Sequence, residues 1–312
     1  MVFDPITISL LLAAAIRLGA PILLASLGEL VSERTGVLNI GLEGIMLFGA
    51  FGAVLGLQMT GVPYAAVAFG ALWGAAAATV LAVAVALWRA DQIVIGIGFN
   101  ILALGTTSLL RDMTLSPSFQ APSLRSASAY KIPYLADLPV VGRAIFFQSP
   151  ILYGAVIVAI LFWFFFRHMR LGLIFRAVGE GAAAADAAGI SVTAVRFSAI
   201  LVTGIMAGIA GAYLTLVASG GVFVDNITAG RGYLAVAVVI FGRWHPIWVM
   251  LASILFGAAD ALQYQGQAMG LAISPPLLLM SPFVLALVAW VLVGKSNGGP
   301  SEIGIPFLRG QK

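Results

Sequence analysis

Apolar residues run along this chain in long continuous stretches, not in the alternating or three-to-four-residue spacing of half-buried elements. Such stretches cover roughly 7–28, 41–60, 63–87, 92–110, 150–166, 196–218, 233–242, 246–264 and 275–294. About twenty apolar residues cross a bilayer as a helix. Only 233–242 is too short to cross alone. It is either a re-entrant or tilted element joined to the Gly-rich stretch before it, or part of a longer broken helix. A transmembrane β-barrel would show alternating segments of about ten residues. The expected fold is therefore all-α: a polytopic helical membrane protein with about 8–10 membrane segments, broken or re-entrant elements among them. The whole of 1–312 reads as one transmembrane domain.

Composition agrees. The 312 residues are 61% hydrophobic and 9% charged, whereas soluble domains are nearer a quarter charged. The 36 glycines suit helices that approach closely. The chain has no cysteine, which excludes disulfides and thiol chemistry. The net charge of +4 does not indicate nucleic acid, because basic residues in such a chain mostly set membrane orientation. Met1-Val2-Phe3-Asp4-Pro5 lacks a basic n-region, so the first apolar run reads as a retained span.

Orientation follows from the arginines. Arg167, Arg170, Arg176 and Arg196 cluster around one connection, and Lys295, Arg309 and Lys312 lie near the end. Placing both groups in the cytoplasm satisfies the positive-inside rule. The 167–195 connection is then cytoplasmic. The 111–149 loop is then external and irregular, with Ser116-Pro117-Ser118 and Ala121-Pro122-Ser123 as its punctuation.

Polar groups interrupt the apolar pattern at three places. Ser32-Glu33-Arg34-Thr35-Gly36-Val37-Leu38-Asn39-Ile40-Gly41-Leu42-Glu43-Gly44 places carboxylates, an arginine, an asparagine and glycines between two apolar runs, where hydrocarbon cannot satisfy them. Within 167–195, the alanine-rich stretch 181–188 predicts a short helix of about two turns. Glu180 stands near its start and Gly189 follows as a left-handed cap. The third place is Asn226-Ile227-Thr228-Ala229-Gly230-Arg231-Gly232-Tyr233, followed by Phe241-Gly242-Arg243-Trp244-His245-Pro246. Asn39-Ile40 with Gly44 echoes Asn226-Ile227 with Gly230, a weak sign of an internal repeat.

These three stretches resemble, in order, the permeases of bacterial ABC importers, in the nucleoside and simple-sugar branch of the ribose and branched-chain amino-acid permease family. Arg176-Ala177-Val178-Gly179-Glu180 and Asp186-Ala187-Ala188-Gly189-Ile190 are similar to that family's coupling loop. Gly181-Ala182 stands where Asn-Pro is frequent. The resemblance implies that Gly179, Glu180, Ala184, Ala185, Asp186 and Gly189 dock on a cytoplasmic ABC ATPase. It further implies a second permease subunit, a longer paralogue, and an external substrate-binding protein. The implied function is half of an ATP-driven import path for nucleosides, in the cytoplasmic (inner) membrane. The alternatives are the same architecture carrying a sugar, a branched-chain amino acid or a vitamin, or a secondary transporter or channel without an ATPase.

Enzyme chemistry finds no footing. His168 and His245 stand beside arginines without a carboxylate partner for a metal. Gly294-Lys295-Ser296 lacks the first glycine of a phosphate loop, Ala289 standing in its place. No cofactor is expected on this chain, and ATP belongs to the partner subunit. Polar residues in spans face a bundle interior or a cavity. Asn39, Glu43 and Asn100 read either as lining of the substrate pathway or as pins between helices. For Arg17, Glu29, Asp260 and Gln263 the pinning role is favoured. Trp73, Trp88, Trp163, Trp244, Trp248 and Trp290 read as interfacial anchors and packing.

Overall fold

The structure, a computed structural model, describes residues 5–116, 129–139, 141–268, 274, 277, 280–293 and 298–309, and every structural statement below concerns these. Seven helices are long and apolar enough to cross a membrane. In chain order the helices are α1 (Pro5–Glu33), α2 (Leu42–Thr60), α3 (Pro63–Ala82), α4 (Gln92–Thr114), α5 (Val141–Phe146), α6 (Pro150–His168), α7 (Arg170–Glu180), α8 (Ala182–Ala187), α9 (Val192–Tyr213), α10 (Arg231–Phe241), α11 (Pro246–Ala268) and α12 (Ser281–Val293). A π-helical turn prolongs α3 over Val83–Leu87 and α9 over Leu214–Ala218. The short apolar run expected at 233–242 is α10, an eleven-residue helix that does not cross alone.

Helix α9 is the centre of the bundle, packing along α1, α2 and α3. Small residues make that closeness possible: a Cβ on Gly49 of α2 would collide with the Gly208 backbone of α9. In a bilayer such van der Waals approach replaces the hydrophobic drive that assembles soluble cores. Around this seam lies one large apolar cluster that includes Leu23, Leu27, Ile45, Ile200, Leu234 and Phe256.

The 111–149 region differs from the irregular loop expected. Helix α4 continues to Thr114, and Tyr130–Lys131 pairs antiparallel with Phe147–Gln148 ahead of α6. Buried Gln148 organises this fold-back, its amide donating to the carbonyls of Ala13 and Ala144. A polar group buried this way needs such partners. The Pro/Ser punctuation at 117–123 lies outside the described residues, as do Arg125 and Gly294-Lys295-Ser296.

The ends of the elements sort into two sets. Arg34, Arg176, Glu180 and Arg196 gather with residues 298–309 at one end, the arginine-rich end. Gln58, Arg111, Ser116 and Gly221 meet at the opposite end.

Candidate functional site

Two membrane helices begin inside the bundle, and their beginnings touch. The first break follows α1. Gly36 takes the left-handed conformation, φ +84. The Gly36 N–H donates to Glu33 O and the Val37 N–H to Ser32 O, which closes α1 with a Schellman motif. The chain then turns back along α1, and the Asn39 N–H donates to Glu29 Oε1 at 2.9 Å. Helix α2 starts beyond that point. The second break is the turn-rich run 219–230, which includes Asn226 and Ala229 at φ 54 and 47 and Gly230 at φ 83, before α10 begins.

Glu43 joins the two. Its carboxylate, 5% exposed, accepts the Gly230 N–H on Oε1 at 2.7 Å and the Gly232 N–H on Oε2 at 2.6 Å. The first turn of α10 has N–H groups without an intrahelical acceptor, and a carboxylate there also meets the positive end of the helix dipole. Asn100 of α4 completes the junction. Its Oδ1 accepts the Gly44 N–H at 2.8 Å, and its amide donates to Ile40 O at 2.9 Å and to the Tyr233 hydroxyl at 2.8 Å. Glu43 and Asn100 therefore spend their capacity on protein groups.

Asn39 sits one step away, 5% exposed, and its Nδ2 has no hydrogen-bond partner among the described residues. Glu29 Oε2 is in the same state. Asp260 reaches the junction through Arg231. The Arg231 guanidinium donates to Asp260 Oδ2 at 3.3 Å, and both side chains line a cavity of about 90 Å³ beside Gln263 and Phe283. That volume has room for a few waters, not for a drug-sized solute. Arg17 stands apart, exposed on α1, and its carbonyl accepts the Tyr213 hydroxyl. Among the described residues no cluster of three or more His, Asp or Glu is placed to hold a metal ion.

Trp244 has another role than interfacial anchoring. Its indole N–H donates to Glu33 Oε2 at 2.5 Å, and its carbonyl accepts the Arg34 Nη2 at 2.6 Å. The chain leaving α10 is thus tied to the chain leaving α1. Burial, and next the Arg176 charge, lowers the Arg34 pKa from its ordinary value, while Glu180 opposes them. Trp88 and Trp248 are exposed, as anchors are, and Trp73 packs between Phe48 and Phe51.

The 167–195 connection contains two helices where the sequence reading has one. Helix α7 holds Arg176 through Glu180, so Glu180 ends that helix and does not begin the next. Helix α8 is six residues long. Gly189, φ +84, ends it with Gly189 N–H to Asp186 O and Ile190 N–H to Ala185 O. Ala183 and Ala184 are exposed, whereas Ala185 is buried with Val178, Ala182 and Val192. Gly179 lies against the Arg34 carbonyl with no room for a Cβ. Asp186 pairs with Arg309 at 3.0 Å.

Tyr233, Gly230, Gly232 and Trp244 complete the junction, and sequence reasoning gave none of them that role. Of the four, only Gly230 lay in the echo between 39–44 and 226–230.

Long apolar helices around two that begin inside the bundle, at buried polar contacts, define a multi-pass membrane transport protein. The family profile described as "Branched-chain amino acid transport system / permease component" matches residues 11–294, and the chain belongs to that family. It is a permease subunit of an importer, a multi-pass protein of the bacterial inner membrane. The nucleoside ABC transporter permease protein NupC of Lactococcus lactis subsp. cremoris is 35% identical, with 97% of this chain and 98% of that protein aligned. The guanosine ABC transporter permease protein NupQ of Bacillus subtilis is 33% identical over 98% of both. A putative glucose ABC transporter permease protein of Haloferax volcanii, TsgC13, is 37% identical over 85% of this chain and 80% of its own length.

Proposed function

We propose that this chain forms one half of a nucleoside import path. Its arginine-rich end faces the cytoplasm and docks an ABC ATPase through α8. A second, longer permease subunit supplies the other half, and an external binding protein delivers the solute. The observation that carries the solute is the extent of likeness: NupC and NupQ align with nearly the whole of this chain, and the glucose permease aligns with less of it. The test is uptake by the complex reconstituted in vesicles with its ATPase and binding protein. Labelled guanosine or another nucleoside should accumulate with ATP, and unlabelled nucleoside should compete where glucose does not. Competition by glucose alone would replace the solute class.

Under this reading Glu43 and Asn100 shape the path by holding the two helix breaks together, and Asn39, whose amide is unsatisfied, faces it. The exposed face of α8, with Ala184 at its centre, meets the ATPase, while Ala185 and Gly189 hold the helix in place. The orientation has its own check. Because the chain lacks cysteine, Tyr134→Cys should react with an impermeant thiol reagent outside intact cells and Ala183→Cys should not.

A further inference from the structure

Segment 298–309 is bound at every turn to the elements around α8. The Glu302 N–H donates to Gly179 O at 2.9 Å, and Glu302 Oε1 accepts the Ala182 N–H, the first of α8, at 3.3 Å. Ser301 Oγ donates to Glu180 O at 2.6 Å. On its other side the same segment holds the first helix break. The Gly304 N–H donates to Gly36 O at 3.0 Å, and Arg196 donates through Nη1 to Ile305 O and through Nε to Thr35 O. Phe307 packs on the cluster of Val178, Ala182, Ala185 and Val192, and Arg309 pairs with Asp186 at the end of α8. Gly299 lies under the Trp244 ring.

We infer that 298–309 is a strap joining α8 to the Gly36 turn, with Glu302 as its positioning residue. This rests on the proposed coupling role of α8. A six-residue helix cannot hold its own direction. Its packing on Val178 and Val192 and its contacts to the strap set where it stands. Glu302 is the one side chain that both receives the first N–H of α8 and belongs to a residue packed on Gly36. A push on α8 therefore reaches the break through Glu302 and Gly304, by contiguous hydrogen bonds. From the Gly36 turn it continues along the chain to the Asn39 carbonyl, which accepts the Leu42 N–H at the start of α2, and through Glu43 of that first turn to α10.

The test uses the full reconstituted complex and reads solute taken up per ATP hydrolysed. Glu302→Ala should assemble with the ATPase and keep basal hydrolysis, with uptake per ATP lowered about fivefold, the low end of ordinary inter-site coupling. Glu302→Gln keeps an oxygen for the Ala182 N–H and should restore most of that ratio. An unchanged ratio in Glu302→Ala overturns the inference. So does a fall of uptake and hydrolysis by one common factor, which marks mere loss of folded complex, and so does an equal defect in the Gln variant. If Glu302→Ala fails to assemble, the double variant Phe307→Ala with Arg309→Ala, read in the same way, decides between the same outcomes. A wild-type complex that takes up no nucleoside fails the proposed function itself. A coupled wild type beside an unaffected Glu302→Ala fails only the strap.

Discussion

The two helix breaks end on similar sequence, Asn39-Ile40 with Gly44 and Asn226-Ile227 with Gly230, and are built differently. The first, 34–41, is lined with partners: a Schellman closure, the Glu29 carboxylate, the Asn100 amide, Arg196 and the strap. The second, 219–230, has exposed residues at Val224, Asp225 and Asn226 and holds Asn226 and Ala229 in the left-handed region. That conformation costs a non-glycine residue roughly 1–2 kcal/mol. It is fastened to the first break by Glu43, with Asn100 adding a bond to Tyr233. The difference teaches which piece is the anchor. The first break is fixed by many contacts to α1, α4 and α9, and the second, held toward its start by Asp225 on Ser108 and Arg111 of α4 and by Phe223 on Phe51, hangs at its α10 end on a buried carboxylate. Backbone held in the left-handed region at Asn226 and Ala229 is of the strained kind in which two-state elements are found.

Removing the fastener should have the largest effect. Glu43→Leu leaves the Gly230 and Gly232 N–H groups without acceptors in a buried site. Each such group costs about 1–3 kcal/mol. Uptake by the reconstituted complex should be lost and thermal stability should fall. Glu43→Gln keeps one acceptor oxygen and should fall between. Wild-type uptake in Glu43→Leu would show that the second break does not depend on the first.

Asn100→Leu comes next. It strands the Gly44 N–H and the Ile40 carbonyl on the anchored side, and it frees the exposed Tyr233 on the other. Because the anchored side has other supports, the complex should still assemble, with a lowered melting temperature and reduced uptake. A loss as deep as that of Glu43→Leu would erase the distinction between anchor and hung piece.

A smaller pair of substitutions compares the breaks directly. Gly36 and Gly230 have nearly equal φ, +84 and +83. A Cβ on Gly36 would lie 2.9 Å from the Glu302 carbonyl oxygen and 2.9 Å from Arg196 Nη2, whereas one on Gly230 would meet only the Phe283 ring, at 3.5 Å. Both alanine variants carry the left-handed cost of about 1–2 kcal/mol. Gly36→Ala should add displacement of the strap and lower the melting temperature further. Equal shifts in the two variants would mean that the first break is no more tightly supported than the second.

Much of this was legible in the chain, for reasons that also explain what was not. Continuous apolar runs announce spanning helices because hydrocarbon demands satisfied backbone. Polar, Gly-rich stretches at 32–44 and 226–233 announce interruptions for the same reason. Which interruption meets which is a matter of packing. Glu43 finds its partners 187 and 189 positions later, and no local period encodes that pairing. The division of 170–187 into α7 and α8 turns on Gly181, whose φ of −170 and ψ of 82 break the helix. An alanine run gives no hint that Ala185 faces Val178 while Ala184 faces outward. Trp244 was masked by its type, since tryptophan near a membrane edge is ordinarily an anchor. Its indole instead serves Glu33.

The smallest effect expected is one of pH, at the link between the chain leaving α10 and the end of α1. His245 follows Trp244, and its Nδ1 is buried without a partner. Burial, and then the charges of Arg34 and Arg167, lower its pKa from the ordinary value. An unfolded histidine titrates near 6.5, roughly, so in acid the unfolded chain takes up this proton before the folded one does. Stability then rises with pH across that window and is lost as pH falls from about 6.5 through the lower folded value. Thermal unfolding of the purified complex at pH 7.5 and at pH 5.5 should therefore show a larger acid loss for the wild type than for His245→Gln. Carboxylates elsewhere titrate alike in both proteins, so the difference between the two losses isolates His245. Glu33 and Arg34 stay in place in the variant, so its uptake at pH 7.5 should match the wild type. Equal acid losses would show that His245 charges as freely in the folded chain as in the unfolded one, and that the contact at Trp244 between the chain leaving α10 and the end of α1 is open to water.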